Sequence, residues 1–175
     1  MSDMRGLKTS GAAGLPATLA ILLLAAGCAG TPARQPPPDE RHLPPEPRAE
    51  TRDAGVPIAE LAMSMVGVQY RYGGAHPDEG FDCSGLVFYT YTSNGHAVPR
   101  TSRGQFGAAR VIPLADAARG DLVFFQDQAN LSHVGIYLGD GRFVHAPSSG
   151  GAVRIATLDA PYYQRNLVAV GRLLP

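Results

Sequence analysis

Apolar and polar positions follow two different periods along this chain, one before and one after about residue 100. After Pro57, a residue suited to the first turn of a helix, Ile58, Leu61, Ala62 and Met65 recur at helical spacing and Gly67 supplies a stop. "GVQYRYGG" then mixes aromatics with glycines, and "AHPDEG" carries turn residues. "LVFYTYT" has the β-branched and aromatic content of a strand. Even so, Cys83, Leu86, Val87, Thr90 and Tyr91 share one helical face, Asp82 is a good N-cap, and Asn94-Gly95 is a good stop, so the pattern predicts a helix. Further on, Asp121–Phe125, His133–Gly139, Phe143–Ala146, Val153–Leu158 and Leu167–Leu174 read as strands, with a Gly139-Asp140-Gly141 hairpin turn between the second and third. Helices followed by an antiparallel β-sheet predict an α+β domain over residues 56–175, with the N-terminal helices packed on the sheet.

The segment before that domain has a different composition. Arg5 and Lys8 precede an apolar run from Ala17 to Cys28, the layout of a secretory signal. The run falls short of the roughly 20 apolar residues a membrane span needs. "LLAAGC" resembles a bacterial lipoprotein signal, which implies a signal peptide over residues 1–27 and lipidation of Cys28; the family pattern prefers leucine where Ala25 stands. An ordinary signal peptide cut nearby is the alternative. Residues 31–55 hold seven prolines among interspersed charges, so residues 28–55 read as an extended tether from a lipid anchor to the domain. Lys+Arg and Asp+Glu are both 15, which gives no electrostatic case for nucleic acid as a partner.

Acylation of Cys28 would leave Cys83 as a lone thiol in an exported protein, either inert in a core or present for its reactivity. In the first turn of a helix capped by Asp82, free backbone N–H groups and the helix dipole favour a thiolate. A nucleophilic cysteine also needs a histidine base and a third polar group to orient that base. His133 and His145 are the candidates, and strand parity tests them. A two-residue Asp-Gly loop would set His145 opposite Ile136, on the face away from His133. A three-residue Gly-Asp-Gly loop, with Gly141 left-handed, sets it opposite Gly135, and the histidines become diagonal neighbours about 7–8 Å apart. The three-residue loop is therefore the prediction. One Cys and two His also compose a partial zinc set, but a spacing of twelve and no evident fourth ligand argue against a metal. His42, His76 and His96 read as solvated, and Tyr72 as a packing residue.

"YRYGG…GFDCSG", "PRTSRGQ", "GDLVFF" and "SHVGIYLGDGRFVHA", in that order, resemble the NlpC family of bacterial cell-wall cysteine endopeptidases, strongly over residues 67–147. The resemblance extends to its outer-membrane lipoprotein members. It implies a papain-like fold, with Cys83 as nucleophile, His133 as general base and acid, and His145 orienting His133. It also implies Tyr70 at the oxyanion, and Asp82 and Ser84 as contacts to a substrate amine. Asp82 as a plain N-cap, Ser84 as a local helix-start hydrogen bond and Arg100 as scaffold are the competing readings. The implied activity is hydrolysis of peptidoglycan at the D-alanine to diaminopimelate cross-link or the D-glutamate to diaminopimelate stem bond. It would proceed through an acyl-enzyme, without metal or organic cofactor, in a monomer anchored at the periplasmic face of the outer membrane. A non-catalytic wall-binding module, or an amidase or acyltransferase, is the alternative on the same fold.

Overall fold

A computed structural model of the chain describes residues 54–128, 130–148 and 151–175. The expected signal peptide, Cys28 and nearly all of the tether lie outside the described residues. Pro57 stands in the first turn of helix α1 (Val56–Ser64), which buries Ile58, Ala59 and Ala62. The "AHPDEG" turn joins two short strands, β1 (Ala75–His76) and β2 (Gly80–Phe81), paired antiparallel. Helix α2 (Cys83–Ser93) follows at once, N-capped by Asp82 as the pattern predicts. It buries Leu86, Val87, Thr90 and Tyr91.

A six-stranded sheet carries the rest. Its strands are β3 (Arg110–Ile112), β4 (Leu122–Asp127), β5 (Asn130–Gly139), β6 (Arg142–His145), β7 (Arg154–Thr157) and β8 (Leu167–Arg172). They lie in the order β3-β8-β4-β5-β6-β7, with every pair antiparallel. Alternation sends Leu122, Phe124, Val134, Ile136 and Leu138 against Ile58, Leu86, Val87 and Tyr91 of the helices. Val123, Phe125, Tyr137 and Phe143 enter a second apolar cluster with Leu158 and Val170. Helix α3 (Ser102–Ala108) and the short helix α4 (Pro161–Asn166) complete the domain.

Four expectations need correction. The strand after Gly120 begins at Leu122: the Asp121 N–H turns back to the Ala118 carbonyl at 3.1 Å, while its carboxylate accepts from the Ala118 N–H at 2.7 Å and from Arg172 at 2.8 and 2.7 Å. Tyr72, read as packing, is 90% exposed. His96, read as solvated, is half-buried edge-on to the Tyr91 ring, 6.3 Å between centroids.

The fourth concerns the hairpin. Gly139 pairs with Arg142, so the loop is the two residues Asp140 and Gly141, both at positive φ (52° and 70°). The register then shifts between Tyr137 and Gly139, leaving Leu138 as the extra residue, and continues as Tyr137 with Phe143 and Ile136 with Val144. A bulge thus supplies the one-residue offset assigned to a longer loop. By that register His145 faces Gly135, the predicted partner.

Candidate active site

The start of α2 is held from three directions. Asp82 accepts the Gly85 N–H at 2.6 Å through Oδ1, the N-cap bond, and the Gly73 N–H at 3.0 Å through Oδ2. Arg100 grips the same carboxylate with both terminal nitrogens, at 3.0 Å on Oδ1 and 2.9 Å on Oδ2. It also donates to the Ser84 hydroxyl and the Gly74 carbonyl, each at 3.0 Å, while Ser84 donates to Asp82 at 3.0 Å. Buried Gln105 of "PRTSRGQ" donates through Nε2 to the Ser84 and Pro99 carbonyls, both at 2.9 Å. That motif therefore clamps the first turn of the cysteine helix. The glycine of "DCSG" follows from the same crowding, since a Cβ at Gly85 would overlap the Gly74 carbonyl.

Burial alone would raise the Asp82 pKa. The Arg100 hydrogen bonds, the Gly85 N–H and the Arg100 charge outweigh it and hold the carboxyl below its ordinary range. At Cys83 the balance runs the other way. Burial dominates, with the Asp82 charge adding to it, and outweighs the favourable backbone N–H groups of Val134, Ser84 and its own residue, so the thiol is pushed up. The N–H groups expected at the helix start are present; in the free protein they do not suffice to make a thiolate.

Val134 of β5 lies in the apolar cluster against which Cys83 packs, and its neighbour is His133. The β4–β5 register shifts between Phe125 and Gln126, with Phe125 opposite His133 and Gln126 opposite Leu131. Such a bulge re-aims the side chains beside it. His133 Nε2 lies 2.7 Å from His145 Nδ1, so the structure brings the two predicted histidines into direct contact. Gly135 makes room on this face, because a Cβ there would come within 2.6 Å of the Phe143 ring. His145 is 1% exposed, and its Nε2 lies 3.1 Å from the Tyr163 hydroxyl. Phe143 and Tyr163 pack round it at 5.1 and 5.5 Å between centroids, and Phe125 lies 6.0 Å from His133.

These surroundings keep both imidazoles neutral. Burial, reinforced by the Arg154 charge, lowers His133 to about 4. Burial, then His133 and Arg154, lowers His145 to about 3. A chain in which His133 Nε2–H donates to His145 Nδ1, and His145 Nε2–H donates to Tyr163, leaves His133 Nδ1 as a free acceptor. That is the nitrogen a thiol proton requires.

Tyr70 is the remaining predicted residue. It bridges in parallel to Phe81, two residues before Cys83, and its N–H donates to the Gly151 carbonyl at 2.7 Å. Burial and the charges of Cys83 and Asp82 push its phenol up, so it stays a proton donor.

A model of the NlpC/P60 family matches residues 67–172. The chain belongs to the NlpC/P60 family. Among NlpC/P60 relatives, the probable endopeptidase YafL of Escherichia coli (strain K12) is 41% identical over 126 residues, covering 67% of this chain and 51% of the relative. Murein DD-endopeptidase MepH of the same organism is 38% identical over 132 residues, 73% of this chain and 49% of the relative. The chain therefore spans about half the length of these curated relatives. The solved peptidoglycan hydrolase RipB of Mycobacterium tuberculosis matches with a TM-score of 0.62 at 34% identity, over 74% of this chain and 69% of that one. An NLP/P60-family lipoprotein-like structure from Staphylococcus aureus matches with a TM-score of 0.63 at 34% identity, over 70% of this chain and 42% of that one. The fold is the papain-like fold of NlpC/P60 domains.

Sequence reasoning did not find Tyr163. It stands in a six-residue helix that opens at Pro161, and a tyrosine pair before a strand gives no signal that one hydroxyl reaches a histidine eighteen residues earlier.

Proposed function

We propose that the protein is a cysteine endopeptidase of peptidoglycan, with Cys83 as nucleophile, His133 as general base and acid, and His145 as the residue that orients His133. One observation carries this reading: the 2.7 Å contact of His133 with His145, with Cys83 packed against the apolar cluster that contains Val134, the neighbour of His133. Family membership and relatives named as endopeptidases support it.

Because thiol and imidazole are both neutral at rest, proton transfer accompanies attack. The thiol proton passes to His133 Nδ1 as sulfur bonds to the carbonyl carbon and the carbonyl electrons move onto oxygen. The Cys83 N–H and the Tyr70 hydroxyl are the donors proposed for that oxygen. His133 then gives its proton to the departing nitrogen, the C–N bond breaks and a thioester remains. Water, deprotonated by His133, attacks the thioester carbon, releasing a carboxylic acid and restoring the thiol. Asp82 and Ser84 meet a substrate amine, in this reading, only through lone pairs left outside the Arg100 network. Lipidation of Cys28 and location at the periplasmic face of the outer membrane complete the proposal, supported by the sequence before the domain; the intact mass of the mature N-terminus tests them.

The deciding experiment digests purified peptidoglycan with the full chain and with its Cys83→Ala variant, and analyses the products by mass spectrometry. New monomeric muropeptides made only by the unaltered chain indicate cross-link cleavage. Stems cut between glutamate and diaminopimelate indicate the stem bond. Absence of any Cys83-dependent product from folded protein overturns the endopeptidase reading in favour of wall binding or another acyl substrate.

A further inference from the structure

The histidine pair opens onto a cavity of about 480 Å³, and Arg154, Asp127, Ser132 and Tyr162 are among the residues that line it with His133 and His145. None of the groups at the α2 start, Asp82, Ser84 or Arg100, lines it. It therefore lies on the histidine side of the site, away from the clamp on the cysteine helix. Arg154 is the direct cross-strand partner of His145, at the start of edge strand β7. It is exposed and forms no ion pair with any described residue.

That placement conflicts with the proposed chemistry unless something else enters the cavity. A fixed positive charge beside a general base disfavours the imidazolium that the base must become, and Arg154 acts this way on both histidines. An anion bound at Arg154 would cancel the penalty at the moment the base is used. The proposed substrates supply one, because diaminopimelate, the residue that furnishes the departing nitrogen at either candidate bond, carries a carboxylate.

We propose that this cavity is the subsite for the leaving-group half of the substrate, and that Arg154 is its specificity residue, receiving a carboxylate on the amino acid whose nitrogen departs. The proposal rests on the endopeptidase reading for the identity of the substrate; the cavity and its arginine stand apart from it. Substrate binding then does two things. It positions the scissile nitrogen next to His133, the group that will protonate it. It also neutralises Arg154, so that His133 is a stronger base in the complex than in the free protein.

The test uses paired peptides that differ only in whether the diaminopimelate carboxylates are free or amidated. With the full chain, kcat/KM is expected to be about tenfold higher for the free acid, the low end for a charge-assisted hydrogen bond at an exposed site. Arg154→Gln is expected to abolish that preference, bringing kcat/KM for the free acid and the amide to the same value, and Arg154→Lys to keep part of it. In Arg154→Gln the acid limb of the pH profile for the free protein moves up. Equal cleavage of acid and amide by the unaltered chain, or an equal loss on both in Arg154→Gln, would overturn the subsite. Binding separates this outcome from failure of the hydrolase reading. Calorimetry with the Cys83→Ala chain should show the free acid bound about tenfold tighter than the amide, and the difference should vanish in Cys83→Ala/Arg154→Gln. If the unaltered chain cleaves neither peptide but this difference persists, the hydrolase fails and the subsite stands; if the difference is absent, the subsite fails.

Discussion

The two halves of the candidate site handle polarity in opposite ways. At the start of α2, Asp82 and Arg100 form a charged pair whose carboxylate accepts five hydrogen bonds. On β5 and β6, His133, His145 and Tyr163 form a chain with no opposite charge in it, walled by Phe125 and Phe143. The first arrangement fixes a charge so that geometry cannot drift. The second withholds charge so that a proton can move. A site that needs a cysteine held still and a histidine free to change state needs both, and they sit on separate elements so that neither electrostatic regime cancels the other.

The sharpest way to break this contrast is to alter one residue on each side. His133→Gln is expected to lower the rate of Cys83-dependent cleavage by about a thousandfold, within the range general acid–base catalysis supplies, with little change in the denaturation midpoint at neutral pH. Arg100→Ala should do the reverse. Removing one partner from a buried pair costs about 3–5 kcal/mol; with Arg100 34% exposed the expected loss is nearer 2 kcal/mol, read by urea unfolding. Loss of activity at full stability in Arg100→Ala would place the arginine in the chemistry and end the division of labour.

Acid should dissolve the two halves in sequence. The His133 pKa is about 4 in the folded chain against an ordinary 6.5. Between those values, and for His145 down to about 3, the unfolded chain binds more protons than the folded one, so the contribution of the histidine pair to stability is complete above pH 6.5 and falls as the pH drops toward 3. The Asp82 carboxyl is shifted below its ordinary 3.8, so its contribution is complete above that value and is lost only at lower pH. Unfolding free energy measured against pH should therefore fall in two stages. His145→Asn should shrink the upper stage alone, and a single stage centred near pH 4 would show that the histidines are not held neutral by burial.

The sequence made the charged half and the neutral half legible to different degrees. Asp82 as N-cap and the face from Cys83 to Tyr91 follow from local rules that operate within one helix, and the structure shows both. The pairing of His133 with His145 was legible through strand parity, yet the device behind it was not: a bulge at Leu138 replaces the expected three-residue loop, and either gives the same offset. Helices α3 and α4 and strand β3 were not legible. Seven, six and three residues long, with two glycines in α3, they are too short to show a period, and tertiary contacts stabilise them. Tyr72 misled because an aromatic within an ordered motif reads as packing, whereas its backbone position turns it to solvent. The neutral state of Cys83 was hidden for a related reason, since helix position is local and burial is not.

The smallest effect tests the far end of the neutral chain. Tyr163→Phe keeps the ring that packs on Phe143 and His145 and removes only the hydroxyl 3.1 Å from His145 Nε2. Losing one hydrogen bond of about 0.5–1.5 kcal/mol should lower kcat about three- to tenfold and leave KM unchanged, because the hydroxyl acts on the histidine pair and touches no substrate in this reading. A general loosening of α4 would give a similar loss, so the informative measurement is the double substitution. If Tyr163 acts by holding the His145 ring, Tyr163→Phe has no further effect on kcat in a His145→Asn background, where the nitrogen it bonds is gone. Equal losses in both backgrounds would leave Tyr163 as a packing residue and shorten the proton-handling chain to its two histidines.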